Sequence, residues 1–218
     1  MKREIRSYVL RQGRTTPSQQ RALNELLPRF GISFSDSFLN IKEIFERTAP
    51  VVLEIGSGMG ETTAEIAQAN PQTDFIAIEV HGPGVGSLLK KIEVLELKNL
   101  RVIRHDAVEV LEKMIADGTL AGIHLFFPDP WPKQRHHKRR LVQPPFVALA
   151  ARKLAPDGYL HAATDWLEYA TQIDEVFSSS SSFTKEQPER KNRPITKFER
   201  RGVKLGHEVR DLVFRRKM

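Results

Sequence analysis

The 218-residue sequence contains no cysteine. That absence excludes disulfides, thiolate nucleophiles and cysteine-based zinc sites, and it suits a reducing compartment. Long apolar runs are missing as well, since nothing approaches the roughly 20 residues needed to span a bilayer. The first ten residues, Met1–Leu10, carry arginines and Glu4 where a secretory signal would have an apolar core. A cytoplasmic location without membrane attachment is therefore expected. There is no internal repeat, and the single low-complexity tract, Ser178–Ser182, has the length of a flexible surface loop. Acidic residues are in the minority: 27 Asp and Glu stand against 34 Lys and Arg, for a net charge of +7 and an isoelectric point near 9.7. Such a balance favours a polyanionic partner, although many basic proteins bind nothing in particular. Clustering tips the reading toward nucleic acid, because the basic residues gather at Lys2, Arg3, Arg6, Arg11 and Arg14, at Lys133–Arg140, and at Arg190–Lys217.

What is present is an ordinary globular composition, 40% hydrophobic and 28% charged. The length suits one domain with extensions. Residues 1–49 read as a basic amino-terminal arm with a short lead-in helix, Gln19–Leu27, and residues 50–218 as a single domain. From Pro50 onward, apolar strand-like runs alternate with helical stretches. Strands are expected at Val51–Ile55, Phe75–Val80, Arg101–Ile103, Ile123–Phe127 and Tyr159–Ala163. Helices are expected at Gly60–Ala69, Gly86–Leu97, Ala107–Asp117, Leu141–Leu154 and Trp166–Phe177, with Asn70-Pro71, Asp117-Gly118 and Pro156-Asp157-Gly158 as stops. This alternation predicts an α/β fold, a doubly wound, Rossmann-like and mostly parallel sheet with helices on both faces. His207–Phe214 alternates like one more strand, expected at the sheet edge.

The run Val51–Ile55 leads into Gly56-Ser57-Gly58-Met59-Gly60, a buried strand followed by a glycine turn that opens a helix. Glycines permit a tight turn and close ligand approach at the carboxyl end of a strand. Glu79 ends the next strand about 20 residues later, where it can accept both ribose hydroxyls of a nucleoside. A dinucleotide site spaces its second and third glycines by three to seat a pyrophosphate, whereas here the spacing is two. Glu54, just before the first glycine, would repel a pyrophosphate but suits the cationic methionine end of S-adenosylmethionine. Asp106 closes the third strand and can accept from an adenine amino group. Taken alone, Asp106 would be read as a helix cap. Three acids at successive strand ends point instead to a ligand that offers donors and positive charge.

The fourth strand runs into Pro128-Asp129-Pro130-Trp131-Pro132-Lys133. Prolines stiffen the backbone there and hold Asp129 at the ligand crevice; the plainer alternative is a rigid surface turn. Trp131 is either a base-stacking platform or, as tryptophans more often are, a packing residue. The following run, Lys133 to Arg140, reads as a phosphate grip because it is joined directly to that strand end. His136 and His137 lack a cysteine or closely spaced acid to complete a metal site, so no metal is expected.

On these strings the chain resembles the bacterial tRNA (guanine-N7)-methyltransferase family. The specific matches are Phe127-Pro128-Asp129-Pro130-Trp131-Pro132-Lys133, Arg135-His136 with Lys138-Arg139-Arg140-Leu141, and Thr196-Lys197-Phe198-Glu199-Arg200. Weaker ones occur at Arg6-Ser7, Gln12-Gly13-Arg14, Gln20-Arg21-Ala22-Leu23, Ala163-Thr164-Asp165-Trp166 and Gly206-His207. The resemblance covers nearly the whole chain and implies a class I methyltransferase fold with S-adenosylmethionine as cofactor. It implies Glu54, Gly56, Gly58, Glu79, Asp106 and Asp129 at that cofactor, with Asp129 also catalytic. Lys133, Asp165, Thr196, Lys197, Phe198 and Glu199 are implied at the substrate, and Arg135, His136, His137, Lys138, Arg139 and Arg140 at RNA. The implied partner is tRNA, methylated at guanosine 46 of the variable loop, and no obligate protein partner is evident. Two departures stand out: Ser57 where an aromatic residue is common, and Gln134 for a frequent lysine. A methyltransferase acting on a small molecule or a protein would leave the basic segments unused. An RNA-binding protein without activity would leave the strand-end acids unexplained, and the glycine spacing weighs against a nicotinamide dehydrogenase.

Overall fold

A computed structural model of the chain describes residues 6–9, 13–188, 193–196, 199–200, 204, 206 and 208–218. The lead-in region forms α1 (Pro17–Glu25) and α2 (Leu27–Phe30), followed by α3 (Ile41–Phe45). Thr16 starts α1 because its hydroxyl accepts from the Gln19 amide while the Gln19 side chain accepts from the Thr16 amide, a reciprocal cap reinforced by Pro17 in the first turn. Ala22 and Leu26 then bury against the domain.

The domain proper alternates β1 (Val51–Ile55), α4 (Glu61–Ala69), β2 (Asp74–Ile78), α5 (Gly82–Val94), β3 (Leu100–Ile103), α6 (Ala107–Lys113) and β4 (Leu120–Phe126). It continues with α7 (Pro144–Lys153), β5 (Leu154–Thr164), α8 (Leu167–Ser178), β6 (Phe183–Glu186) and β7 (Arg210–Arg216). The seven strands lie in the order β3-β2-β1-β4-β5-β7-β6, parallel from β3 through β5 and antiparallel where β7 pairs with β5 and β6. The order reverses between β1 and β4, so those two carboxyl ends open a crevice where ligands bind in folds of this kind.

Because helices cover both faces, β1 and β2 are buried along their whole length and are apolar but for Glu54 and Asp74, with no alternation. Leu53, Ile76, Ile103, Ile123 and Leu160 face a core shared with α6, α7 and α8, while Val52, Ala77 and Val102 face one shared with α1, α4 and α5. Among the described residues, no helix is long and apolar enough to cross a membrane.

Beyond shifts of a few residues at element ends and the short helices α2 and α3, which were not expected, four departures bear on the architecture. Helix α5 begins at Gly82 and not Gly86, since its early glycines serve close approach: a Cβ on Gly86 would meet the Gln19 carbonyl of α1 at 2.7 Å. Strand β5 starts at Leu154, and the expected turn at Pro156-Asp157-Gly158 is a bulge inside it, with Asp157 at φ 61° and the register against β4 shifting between Leu120 and Gly122. Strand β6 carries too few apolar residues to announce itself, and Ser178 ends α8 instead of opening a loop. The final alternating run is β7, and it does not lie at the edge: it is inserted between β5 and β6. Its Phe214 is fully buried and stacks on Phe177 with centroids 4.3 Å apart. Burying such a side chain is worth about 1.5–3 kcal/mol. His207, where that run was expected to begin, lies outside the described residues.

Candidate active site at the carboxyl ends of the strands

The glycine turn after β1 has a backbone that only glycine adopts without strain: Gly56, Gly58 and Gly60 have φ of 78°, 56° and 76°. A Cβ on either Gly56 or Gly58 would meet nothing within 4 Å, so both face open space. Behind the turn α5 packs tightly, and a Cβ on Gly84 would lie 2.4 Å from the Gly58 carbonyl. Glu79 ties the two elements together. Its Oε2 accepts from the Gly58 amide at 2.8 Å, and its Oε1 accepts from the Val80 and His81 amides at 2.7 and 2.9 Å. Within the same turn the Ser57 hydroxyl oxygen is buried with no hydrogen-bond partner.

Glu54 is 4% exposed at the middle of the sheet. Burial, with the Glu79 charge adding to it, raises its pKa from 4.5 to about 7. The Thr63 hydroxyl acts against that rise but is not aligned as a full hydrogen bond. Asp106 caps α6, its Oδ1 accepting from the Val108 amide at 2.8 Å. The cap occupies one oxygen and leaves further acceptor capacity on the carboxylate.

After β4 the chain passes through two unusual residues, Phe127 at φ 52° and Trp131 at φ 45°, which bracket Pro128-Asp129-Pro130. Asp129 is exposed at the crest of this loop. Trp131 is a packing residue here: its Nε1 donates to the Ser7 carbonyl at 3.0 Å, Arg139 covers its ring at 4.9 Å, and His136 meets it edge-on. The amino-terminal arm is thereby pinned beside Asp106, where burial together with the Asp106 charge raises the Tyr8 pKa. Arg6, Ser7, Asp106 and Lys138 line a cavity of about 310 Å³ at this junction.

The basic run folds as a 3₁₀ segment, Gln134–Arg139. Lys133, Arg135 and Lys138 are exposed, and His136, His137 and Arg139 half-buried. Partial burial and the cations of Arg135, Arg139, Lys133 and Lys138 lower the His136 pKa. Arg140 departs from the expected RNA contact. It is 3% exposed, and its guanidinium donates to the Pro130 carbonyl at 2.7 Å, Gln172 at 2.6 Å and Glu168 at 3.2 Å. It braces the loop from inside the protein.

Asp165 is half-buried just past the end of β5. Thr196 and Glu199 are buried; the Thr196 hydroxyl accepts from the Glu199 amide at 2.9 Å, and Glu199 Oε2 accepts from Arg193 at 2.7 Å. Lys197 and Phe198 lie outside the described residues. Among the described residues, no group of three His, Cys, Asp or Glu is placed to hold a metal ion.

Residues 48–212 match the family described as "Putative methyltransferase". Over 220 residues, the chain is 56% identical to the tRNA (guanine-N(7)-)-methyltransferase of Chromobacterium violaceum, covering 99% of this chain and 97% of that one. The enzyme of the same name from Nitrosospira multiformis is 57% identical over 219 residues, with 99% and 96% covered. The chain belongs to the tRNA (guanine-N(7)-)-methyltransferase family.

The fold agrees with that membership. The 16S rRNA methyltransferase KamB superposes with a TM-score of 0.60 at 14% identity, over 84% of this chain and 95% of that one. The sheet is thus the Rossmann-like sheet of class I methyltransferases. Reading the methyltransferase from its sequence missed three residues beside the site, Arg193, Asp211 and His161. His161 Nε2 lies 2.8 Å from Asp211 Oδ1, and Arg193 grips both Asp211 oxygens at 2.8 and 2.9 Å. Burial alone would push the Asp211 carboxyl up, but the bonds from His161 and Arg193 hold it well below the usual carboxylate range. The available signal was slight: Asp211 directly before the apolar run Leu212–Phe214, and His161 between Leu160 and Ala162.

Proposed function

We propose that this chain transfers a methyl group from S-adenosylmethionine to N7 of a guanine in tRNA, at guanosine 46 of the variable loop, in the cytoplasm. One observation carries the reading: Glu54, Glu79, Asp106 and Asp129 stand at the carboxyl ends of β1, β2, β3 and β4 around the glycine turn, and the last of them leads straight into an exposed basic segment.

The donor set fits the cofactor. Open space over Gly56 and Gly58, the unpartnered Ser57 hydroxyl and a ring of carboxylates suit a ligand with amino and hydroxyl donors and a cationic centre. In this reading Gly56 and Gly58 let the backbone approach the ligand, Glu54 faces its positive end, and Glu79 and Asp106 accept from the nucleoside. Bound there, S-adenosylmethionine supplies an electrophilic methyl group. Guanine N7 is an unprotonated lone pair, so no base has to remove a proton before attack. The chain's contribution is orientation, which can lower such a barrier by several kcal/mol. Asp129, held rigid by Pro128, Pro130 and the Arg140 brace, accepts hydrogen bonds from guanine or cofactor amino groups. Asp165 reads the same base edge, and the acidic surroundings accommodate the positive charge that methylation leaves on the ring. Lys133 and the segment from Thr196 through Lys197 and Phe198 to Glu199 hold the nucleotide. Arg135, Lys138 and Arg139, with His136 and His137 beside them, grip the phosphates. Neither a metal nor a protein partner enters this scheme. Residues 1–49 serve as an arm and lead-in helix to a single domain of residues 50–218.

The test is methyl transfer to a tRNA transcript carrying either guanosine or 7-deazaguanosine at the variable-loop position. Transfer is expected to the first and to be lost with the second while binding persists. Equal transfer to both would put the chemistry at another atom or nucleotide.

A further inference from the structure

Arg193 follows the edge strand β6 by a few residues, outside every motif that marks the site, and its side chain is only 1% exposed. All three edges of its guanidinium are in use. Nε and Nη2 donate to the two oxygens of Asp211 on β7, a fork-on-fork pair at 2.8 and 2.9 Å. Nη1 donates to Glu199 at 2.7 Å and to the Pro194 carbonyl at 3.3 Å. The guanidinium carbon lies 5.7 Å from the ring centroid of Phe126 and 5.6 Å from that of Phe127, within reach of a cation–π contact. Phe127 is the left-handed residue that turns the chain out of β4 toward Asp129.

One planar cation therefore touches three separate pieces: the sheet through Asp211, the substrate segment through Glu199, and the entrance of the Asp129 loop through Phe127. We propose that Arg193 is a positioning residue that sets the spacing between the Asp129 loop and the Thr196–Glu199 segment, an inference that rests on the function proposed above. Burial of a charge needs its donors matched; four hydrogen bonds to Asp211, Glu199 and Pro194 do this for Arg193, and they fix the plane of the guanidinium beside the Phe126 and Phe127 rings. A lysine would keep the charge but lose the fork and the planar face, so it could satisfy Asp211 or Glu199 but not hold both in register with Phe127.

The experiment compares wild type, R193K, F127L and R193K/F127L by melting temperature, cofactor affinity, and kcat and KM for tRNA, with kcat normalised to cofactor-binding sites. R193K is expected to keep its cofactor affinity and to lose kcat by roughly 100-fold, the cost of misplacing reacting groups by about 1 Å. The loss should fall on kcat more than on KM. F127L should lose less, and the double variant no more than R193K alone, because both act through one contact. A normal kcat per site in R193K, or losses that multiply in the double variant, would overturn the inference. Should R193K not fold, F127L decides: a reduced kcat with cofactor affinity kept supports the role, and an unchanged kcat removes it. If the wild type itself transfers no methyl group to tRNA, the functional reading fails and this inference falls with it.

Discussion

Glu79 reaches from the end of β2 to the turn after β1 and accepts a hydrogen bond from the Gly58 amide at 2.8 Å. Its two oxygens also hold the Val80 and His81 amides, so one carboxylate shapes the floor of the crevice before any ligand arrives. In E79Q one oxygen becomes an NH2 group that faces an N–H donor. Charge-assisted bonds of this type are worth about 1.5–3 kcal/mol each, so cofactor affinity should fall roughly 10- to 100-fold. Calorimetric titration with S-adenosylmethionine checks this, and an unchanged affinity would show that the turn holds its shape alone.

Glu54 predicts a pH dependence. Its folded-state pKa of about 7 lies above the ordinary 4.5, so the stability it contributes is complete below the unfolded value and is lost as pH rises through about 7. Without ligand, E54Q should melt close to wild type at pH 5 and above it at pH 8. Cofactor binding should run the other way, tightening for wild type as Glu54 ionises and staying flat in E54Q. Melting curves and titrations at pH 5, 6, 7 and 8 give both readings.

Trp131 anchors the arm through a single bond to Ser7. W131F keeps an aromatic group, though a smaller one, and deletes the donor, which should cost about 1 kcal/mol and weaken tRNA binding roughly 5-fold while the domain's melting temperature changes little. Filter binding against salt is the check, and tRNA affinity equal to wild type would mean that the arm does not need this tether.

The basic run should divide into two kinds of residue. Alanine at Lys133, Arg135 or Lys138, all exposed, should lower RNA affinity and reduce the salt slope by about one each without touching stability. Alanine at buried Arg140 should instead lower stability by about 2–3 kcal/mol, since it strips hydrogen bonds from Pro130 and Gln172 and leaves the loop unbraced. Thermal unfolding separates the groups; an R140A variant that melts like wild type but loses salt-dependent RNA binding would reverse the assignment.

Much of this architecture was legible in the sequence because the signals were local. Val51–Ile55 with its glycine turn, and the acids that close the next strands, declare themselves through composition and spacing. Less legible were features set by distant partners. The glycines at the start of α5 look like helix breakers until α1 is seen lying on Gly86. Arg140 looks like its basic neighbours until Gln172 and Glu168, far along the chain, are brought against it. Trp131 could not be assigned to packing until Ser7 appeared beside its ring nitrogen. Arg193 carries no motif, and its meaning comes only from the three segments that meet around it.

The placement of β7 sets an order of events for the growing chain. On the ribosome β5 and β6 emerge before β7, which must then enter between them, so until it does β5 presents a row of unpaired amides and carbonyls on one side. Thr196 and Glu199 precede β7 in the chain, and Asp211, which holds Arg193, lies on β7 itself. A nascent chain can thus shape its glycine turn and its basic segment early, but Arg193 and Glu199 reach their final partners only when the last strand slots home.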